Sequence, residues 1–185
     1  LDIADFFGSI TEIQVFRVFR WFGYSDLVSF ELARLCTTVP HASAKHSMKA
    51  WQVRFPRRQI RYYSENLIGR LPQGAPSSPM LANLVMRVAD DKLQSLADSN
   101  GLVYTRYSDD ITFSTKAEFS REQAMTVIRQ ATAILKCQGL FPNRSKTTIV
   151  HPGARRIVLG LLVDSDQPRL SRVFRDRLRQ HLYYL

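Results

Sequence analysis

The sequence predicts an α+β fold in which helices cover one face of an antiparallel sheet. Three observations lead to this prediction: a hairpin of two short strands over residues 103–114, helical spacing of apolar residues before and after it, and a strand-like apolar segment at residues 1–3. The chain has 185 residues, and 45% of them are hydrophobic. It can therefore bury one sizeable core, or a core with a small appendage.

The predicted hairpin carries the most informative residues of the chain. β-Branched and aromatic residues lie on both sides of a polar step that contains two neighbouring acids, Asp109 and Asp110. Adjacent ionised carboxylates repel each other, so the pair is costly unless a cation neutralises it. Ser-Asp-Asp is also ordinary turn chemistry. The hairpin alone therefore leaves two interpretations open, a cation site and a polar surface turn.

Composition narrows the classes of partner. The chain carries 26 basic and 16 acidic residues, a net charge of +10, which favours a polyanion such as nucleic acid. A merely basic soluble protein is the alternative. Cys36 and Cys137 form no CxxC pair and indicate reduced cytosolic residues. No apolar run is long enough to span a bilayer and no secretory signal opens the chain, so we expect a cytoplasmic protein without a membrane partner.

The first segment, residues 1–10, begins as a strand and passes into a turn. Asp2 has apolar neighbours, so we expect it near the core, where an acid must be paired, hydrogen-bonded or metal-bound. An edge-strand position facing solvent is the alternative, and Asp5 is the weaker candidate. Two helices follow, one over residues 12–22 with Ile13, Phe16, Phe19 and Trp21 inward, and one from Ser25 or Asp26 to about Cys36.

Two basic rows are candidates for nucleic-acid contact. Residues 39–46 have loop composition, and in residues 54–63 arginines interleave with aromatic residues that could stack on bases. The last helix, from Ser171, presents a second row that could track a phosphate backbone. A solvated basic surface is the alternative for the first row. The arginines concerned are Arg57, Arg58 and Arg61 in the first row, and Arg172, Arg175 and Arg179 in the second.

A turn that leads into a helix lies at residues 71–79. Gly74 and Pro76 indicate the turn, while Ser78 fits the N-cap and Pro79 the first helical position. Backbone N–H groups at a helix start can bind an anion, such as a triphosphate or a template phosphate. Taken alone, the pattern predicts only a turn followed by a helix.

The remaining elements follow the hairpin. Ser120 and Gln123 predict a capping box that begins a helix ending at about Cys137. Lys146 lies at the entrance of the next strand, where an ammonium could reach a phosphate, although most lysines are simply exposed. Residues 156–163 predict one further strand.

This order of elements can build a ferredoxin-like split βαβ layout. In that layout the first strand and the central hairpin are neighbours, so Asp2 and Asp109 converge although they are far apart in the sequence. The chain begins at Leu1, and a strand that starts there would have almost no upstream length. We therefore expect the chain to be a piece of a longer protein.

Five segments of the chain resemble, in order, the five sequence motifs of a known enzyme family. Residues 1–10 are similar to motif A of reverse transcriptases, residues 71–79 to motif B, and Tyr-Ser-Asp-Asp at residues 107–110 to the YxDD box of motif C. Residues 139–147 and 157–163 are similar to motifs D and E. Motifs B and C most resemble those of bacterial retron-type reverse transcriptases.

The resemblance implies a polymerase palm over residues 1–168, with an insertion-like region at 37–70, and the start of the thumb over residues 169–185. Residues 158–160 read Val-Leu-Gly where retron enzymes usually carry Val-Thr-Gly. Group II intron-like and other defence-associated bacterial reverse transcriptases therefore stay open. The fingers and most of the thumb would lie outside the chain, so we expect this piece alone to be inactive.

The resemblance also implies the chemistry, which is RNA-directed transfer of dNTPs to a primer 3′-hydroxyl with two Mg²⁺ ions, for which Mn²⁺ can substitute. Asp2 and Asp109 would bridge the ions. Asp110 and the backbone of Ile3 would support them, and Lys146 would give a proton to pyrophosphate. The expected nucleotide contacts, with Phe7 as the steric gate against ribonucleotides, are Ile3, Ala4, Asp5, Phe6, Phe7, Gln73 and Gly74.

The partners implied by the resemblance are an RNA template and primer, dNTPs, a structured non-coding RNA and a defence effector protein. Two other function classes stay open. A catalytically silent nucleic-acid-binding palm would not need Asp2, Asp109 and Asp110 together. A palm polymerase or cyclase that uses ribonucleotides could share these acids, but Phe7 argues against it.

Overall fold

A computed structural model of the chain describes residues 1–39, 68–151, 153–165 and 167–184. The predicted nucleic-acid residues Arg57, Arg58 and Arg61 lie outside the described residues. The chain divides into two compact units, Leu1–Thr147 and Thr148–Leu185. In the described ranges, no helix combines the length and the apolar character that crossing a membrane requires.

The first unit, in its described part, is built from helices α1 to α5 and one hairpin. The helix α4 contacts α2, α5 and β1 and is therefore the centre of the unit. The elements are α1 (Phe6–Ser9), α2 (Glu12–Trp21), α3 (Asp26–Cys36), α4 (Ser78–Ser99), β1 (Val103–Tyr107), β2 (Asp110–Ser114) and α5 (Arg121–Cys137).

Local sequence signals set several helix ends. Thr11 and Ser120 begin α2 and α5 with capping boxes that Gln14 and Gln123 complete. The hydroxyl of Ser25 accepts a backbone hydrogen bond at the start of α3. The predicted helix starts at Ser25 and Ser120 are confirmed.

The sheet of the first unit extends beyond its hairpin. β1 and β2 pair antiparallel. Residues 1–4 pair with β2 through an antiparallel bridge between Asp2 and Asp110, and with the chain after α5 through a bridge between Ile3 and Pro142. The spatial order is therefore residues 141–143, residues 1–4, β2 and β1.

The core of the first unit lies between this sheet and the helices. Met86 and Leu93 of α4 and Leu135 of α5 have no exposed surface, and Ile3 and Ile111 of the sheet are 1% exposed. The predicted inward face of α5 is confirmed at Val127, Ala131 and Leu135.

The predicted inward face of α2 is confirmed at Phe16 and Phe19, which are partly buried against the core, and is wrong at Ile13 and Trp21. Val15 and Val18 are buried, whereas Ile13 is 47% and Trp21 58% exposed. The Arg87 guanidinium lies 3.6 Å from the Trp21 ring centroid. The indole is therefore covered on one face by a cation and not by the core, an arrangement that the electron-rich face of the ring favours.

The two ends of the insertion-like region meet. Thr38 and Arg70 exchange backbone hydrogen bonds, with N···O distances of 2.9 and 3.0 Å. Arg70 also bridges to Thr11 beside α2. The chain on both sides of residues 40–67 is thus fixed to the first unit.

The second unit contains a three-stranded antiparallel sheet, β3 (Ile157–Val158), β4 (Leu161–Leu162) and β5 (Arg169–Leu170), and the helix α6 (Arg172–Tyr183). The prediction of one strand over residues 156–163 is wrong. Leu159 and Gly160 have φ angles of 50° and 80°, and they form the two-residue turn of a hairpin. Positive φ at both positions matches a type I′ turn.

We predict that Met86→Ala lowers the free energy of unfolding by about 2–5 kcal/mol, because the side chain is fully buried and its removal leaves a cavity. Met80→Ala on the same helix is the matched control, since Met80 is 65% exposed and its loss should change stability by less than about 0.5 kcal/mol. Chemical denaturation of both variants measures the difference. Equal effects would contradict the packing described for α4.

Candidate active site

Asp2 and Asp110 lie directly opposite each other on neighbouring segments of the sheet. The Leu1 nitrogen donates to the Ile111 carbonyl at 2.8 Å, and the Ile111 N–H donates to the Leu1 carbonyl at 2.7 Å. The next pair along an antiparallel ladder is not hydrogen-bonded, and its side chains are close and on one face. The Asp2 and Asp110 side chains therefore share one face of the sheet.

Asp109 lies in the tight turn between β1 and β2. The two-residue loop consists of Ser108 and Asp109, and the φ angle of Ser108 is 55°, as in a type II′ turn. The Asp109 carbonyl accepts a hydrogen bond from the Ile3 N–H at 2.9 Å. A third acid thus adjoins the pair of Asp2 and Asp110 along the backbone. The sequence predicted that Asp2 and Asp109 converge, whereas the residue directly opposite Asp2 is Asp110.

Lys146 lies beside Asp2. The Asn143 N–H donates to the Asp2 carbonyl at 2.7 Å, and a turn after Asn143 leads to Lys146. Its Nζ lies 3.2 Å from Oδ2 and 3.4 Å from Oδ1 of Asp2. The Lys146 side chain is 65% exposed, so the pair contributes less than about 1 kcal/mol to stability. The pair still shows that a cation fits at this carboxylate.

The predicted nucleotide contacts of motif A lie in the turn after these residues. Ile3 and Phe6 are buried in the core, so only their backbone is available to a ligand. Asp5 is exposed, adopts a φ of 45° and begins α1 without a side-chain cap. The Phe7 ring is half-buried, and its centroid lies 5.4 Å from that of Phe6.

Hydrogen bonds hold this turn in place. The Ala4 N–H donates to the Phe141 carbonyl at 2.8 Å, and the Ala4 carbonyl accepts from the Ser9 hydroxyl at 3.1 Å. The Leu71 N–H donates to the Ile10 carbonyl at 3.1 Å. The first residue of motif B is therefore hydrogen-bonded through its backbone to the last residue of motif A.

The predicted contacts Gln73 and Gly74 are exposed in the turn before α4, and Gly74 has a φ of 92°. The prediction that Ser78 caps α4 is wrong, because Ser77 is the N-cap. Ser78 is the first helical residue, and its buried hydroxyl donates to the Pro72 carbonyl at 2.7 Å. This bond closes the turn and ties it to the first residue of α4.

The predicted basic row of α6 belongs to the second unit. Arg172, Arg175 and Arg179 are exposed. Asp176 forms ion pairs with Arg172 at 3.7 Å and with Arg179 at 3.3 Å. An acid therefore lies within the row and offsets part of its positive charge.

A polar network that the sequence did not predict joins β1 to α4. The Arg106 Nε and NH2 donate to the two carboxylate oxygens of Asp90 at 2.8 and 2.7 Å, and the Tyr104 hydroxyl donates to Asp90 at 2.7 Å. Burial and the hydrogen bond to Asp90 raise the pKa of Tyr104. Tyr104 and Arg106 are two positions apart in β1. This spacing is the one signal in the sequence that could have placed them on one face of the strand.

Carboxylate oxygens are the donor type that a hard cation takes, so the donor chemistry of the three acids, and not their present arrangement, suits such an ion. Asp2, Asp109 and Asp110 offer oxygen ligands, which Mg²⁺ prefers. Among the described residues, no group of three or more His, Cys, Asp or Glu side chains is arranged to hold a metal ion. Lys146 pairs with Asp2, and a bound cation would neutralise the repulsion that remains between the acids.

Comparison with known protein families identifies the family of the chain. A model of the family described as reverse transcriptase (RNA-dependent DNA polymerase) matches residues 1–173. The chain belongs to the reverse transcriptase family. The match includes Asp2, Asp109 and Asp110, and the predicted resemblance is confirmed.

Several relatives of this reverse transcriptase chain are retron enzymes. Over 185 residues it is 32% identical to the retron Ec86 reverse transcriptase of Escherichia coli. The aligned part is 100% of this chain and 48% of that protein. It is 32% identical over 191 residues to the retron Mx162 reverse transcriptase of Myxococcus xanthus, which covers 97% of this chain and 37% of that protein. The chain thus spans half or less of the length of these relatives.

We predict that Mg²⁺ raises the thermal stability of the protein, by about 1.4 kcal/mol at tenfold excess over the dissociation constant. Asp110→Asn should weaken this effect, and without metal it should be at least as stable as the native protein because a carboxylate facing Asp2 is removed. Thermal unfolding with and without Mg²⁺ measures both quantities.

Asp91→Asn is the control, because Asp91 is an exposed acid on α4 and its loss removes the same charge. It should leave the Mg²⁺ effect unchanged. An equal loss of the Mg²⁺ effect in the two variants would argue against a cation site at Asp110.

Proposed function

We propose that the protein containing this chain is an RNA-directed DNA polymerase of retron or retron-like type, which adds dNTPs to a primer 3′-hydroxyl on an RNA template. The observation that carries this proposal is the juxtaposition of Asp2, Asp109 and Asp110 in a chain of the reverse transcriptase family. The net charge of +10 supports a nucleic-acid partner.

The fold proposed for the chain is a polymerase palm with a ferredoxin-like split βαβ layout. The spatial order of residues 141–143, residues 1–4, β2 and β1 supports it, because residues 1–4 lie between the hairpin and residues 141–143. In this proposal the palm covers residues 1–168, and α6 within residues 169–185 begins the thumb.

Two Mg²⁺ ions, or Mn²⁺ in their place, would be held by Asp2 and Asp109, with Asp110 and the Ile3 backbone in support. When bound, such ions activate the primer hydroxyl and neutralise charge on the leaving pyrophosphate. The chain itself supplies a rigid support for these ligands. Ile3 and Ile111 anchor the two strands in the core beside the acids.

Other residues have proposed roles at the incoming nucleotide. The exposed ammonium of Lys146 can leave Asp2 at little cost and donate a proton to pyrophosphate. The Phe7 ring, packed against Phe6, would exclude the 2′-hydroxyl of ribonucleotides. The backbone of residues 3–6 would hold the triphosphate, and Gln73 and Gly74 would contact the nucleotide and template.

The retron relatives support further proposals about the whole protein. Its template would be a structured non-coding RNA, copied in the bacterial cytoplasm, and a defence effector would be a further partner. Arg172, Arg175 and Arg179 would contact the nucleic-acid backbone, as would Arg57, Arg58 and Arg61. Recovery of no structured RNA with the purified full-length protein would count against the proposed template.

The primary test is Mg²⁺-dependent dNTP incorporation on a primed RNA template by the full-length protein. The double variant Asp109→Asn, Asp110→Asn should lose at least about a thousandfold in rate, which corresponds to about 4 kcal/mol of transition-state stabilisation. Asp91→Asn serves as the charge-matched control. RNA binding without incorporation, by native protein and variant alike, would favour a silent palm scaffold.

We also predict that Phe7→Ala weakens discrimination against ribonucleotides by at least about tenfold, because a ring that blocks the 2′-hydroxyl is removed. The ratio of kcat/KM for a dNTP to that for the matching NTP measures the effect. Phe22→Ala is the control, since Phe22 is 53% exposed at the end of α2. An unchanged ratio in Phe7→Ala would refute the gate.

A further inference from the structure

Arg106 lies between the helix α4 and the turn that carries Asp109. Its side chain is 9% exposed. Two of its nitrogens are bonded to the Asp90 carboxylate, and the third, NH1, donates to the Asn83 side chain at 3.0 Å and to the Ser108 carbonyl at 2.8 Å. One guanidinium thus contacts three groups, and one of them is backbone of the turn.

On the side of α4, two residues of one helix face hold the Arg106 guanidinium. Asn83 and Asp90 are seven positions apart on α4, so they lie on the same face two turns apart. The two parallel hydrogen bonds to Asp90 fix the plane of the guanidinium, which a point charge could not do. Burial disfavours the charged form, but the hydrogen bonds and charge of Asp90 outweigh this and raise the pKa of Arg106.

The turn side of the contact adjoins Asp109. The Ser108 carbonyl and the Asp109 N–H belong to one rigid peptide plane. Ser108 has a φ of 55°, a conformation that is uncommon for residues other than glycine and needs support from its surroundings. On the other side, the Asp109 carbonyl is held by the Ile3 N–H at 2.9 Å. The backbone of Asp109 is therefore fixed on both sides, because the Ser108 carbonyl accepts from Arg106 and the Asp109 carbonyl accepts from Ile3.

We propose that Arg106 is a positioning residue, which holds the Ser108–Asp109 peptide against α4 and so sets the direction of the Asp109 carboxylate. The role of Asp109 as a metal ligand is part of the proposed function, and this inference rests on it. The Asp90 carboxylate orients Arg106, and Asn83 supports the same NH1 group. The start of α4, which carries the motif B turn, is thereby linked to the catalytic hairpin.

The first test uses Arg106→Lys and Arg106→Gln in the full-length protein. Neither side chain can bind both Asp90 oxygens and the Ser108 carbonyl at once. The expected result is a loss of about 10–100-fold in kcat and a rise in the Mg²⁺ concentration at half-maximal rate, as for other groups that orient metal ligands. The KM for dNTP should change by less than about threefold, because the nucleotide contacts are elsewhere.

Tyr104→Phe is the matched control. The Tyr104 hydroxyl donates to the same Asp90 oxygen as the Arg106 Nε and also interacts with Arg106, but it forms no hydrogen bond to the turn at residues 108–109. This variant should lose thermal stability and keep its Mg²⁺ dependence. Equal changes in stability, kcat and Mg²⁺ dependence in the Arg106 and Tyr104 variants would overturn the proposal, because Arg106 would then only stabilise the fold.

A second readout does not depend on activity. Amide hydrogen exchange at Ile3 reports the bond to the Asp109 carbonyl, and it should accelerate in Arg106→Gln and not in Tyr104→Phe. If the native protein incorporates no dNTP, the proposed function fails, while exchange at Ile3 still decides whether Arg106 holds the turn. Unchanged exchange in both variants would overturn the inference.

Discussion

The backbone of residues 1–4 is hydrogen-bonded on both of its edges, and the remainder of the first unit depends on this segment. On one edge it pairs with β2 through Asp2 and Asp110, and on the other it pairs with residues 141–143. Without it, the hairpin would have no neighbouring strand and the chain after α5 would have no strand to join. One short segment therefore brings together motifs that are distant in the sequence.

The alternation of side chains along these strands separates the core from the site. Ile3 and Ile111 are buried, while Asp2 and Asp110 lie at the alternating positions of the same two segments. The apolar residues hold the strands in register, and a slip of one residue would bury the acids. The strand pairing that places the two carboxylates side by side therefore also holds them together against their repulsion.

Features decided by a few neighbouring residues could be predicted from the sequence. The caps at Ser25 and Ser120 and the hairpin at residues 103–114 are of this kind. The Ser78 cap was wrong because two adjacent serines fit the same signal, and the turn at residues 159–160 was missed because a leucine occupies a left-handed position. The Arg106 contacts depend on which face of β1 meets α4, which no local pattern specifies.

The two hydrogen bonds between Thr38 and Arg70 have a consequence for evolution and for engineering. They hold the two ends of the intervening chain together whatever its length, and doubling such a length costs only about 0.6 kcal/mol. A change in the number of residues between these positions should therefore leave the pairing of Thr38 with Arg70 in place. For the same reason, a foreign peptide inserted between residues 40 and 67 should leave the geometry around Asp2 intact.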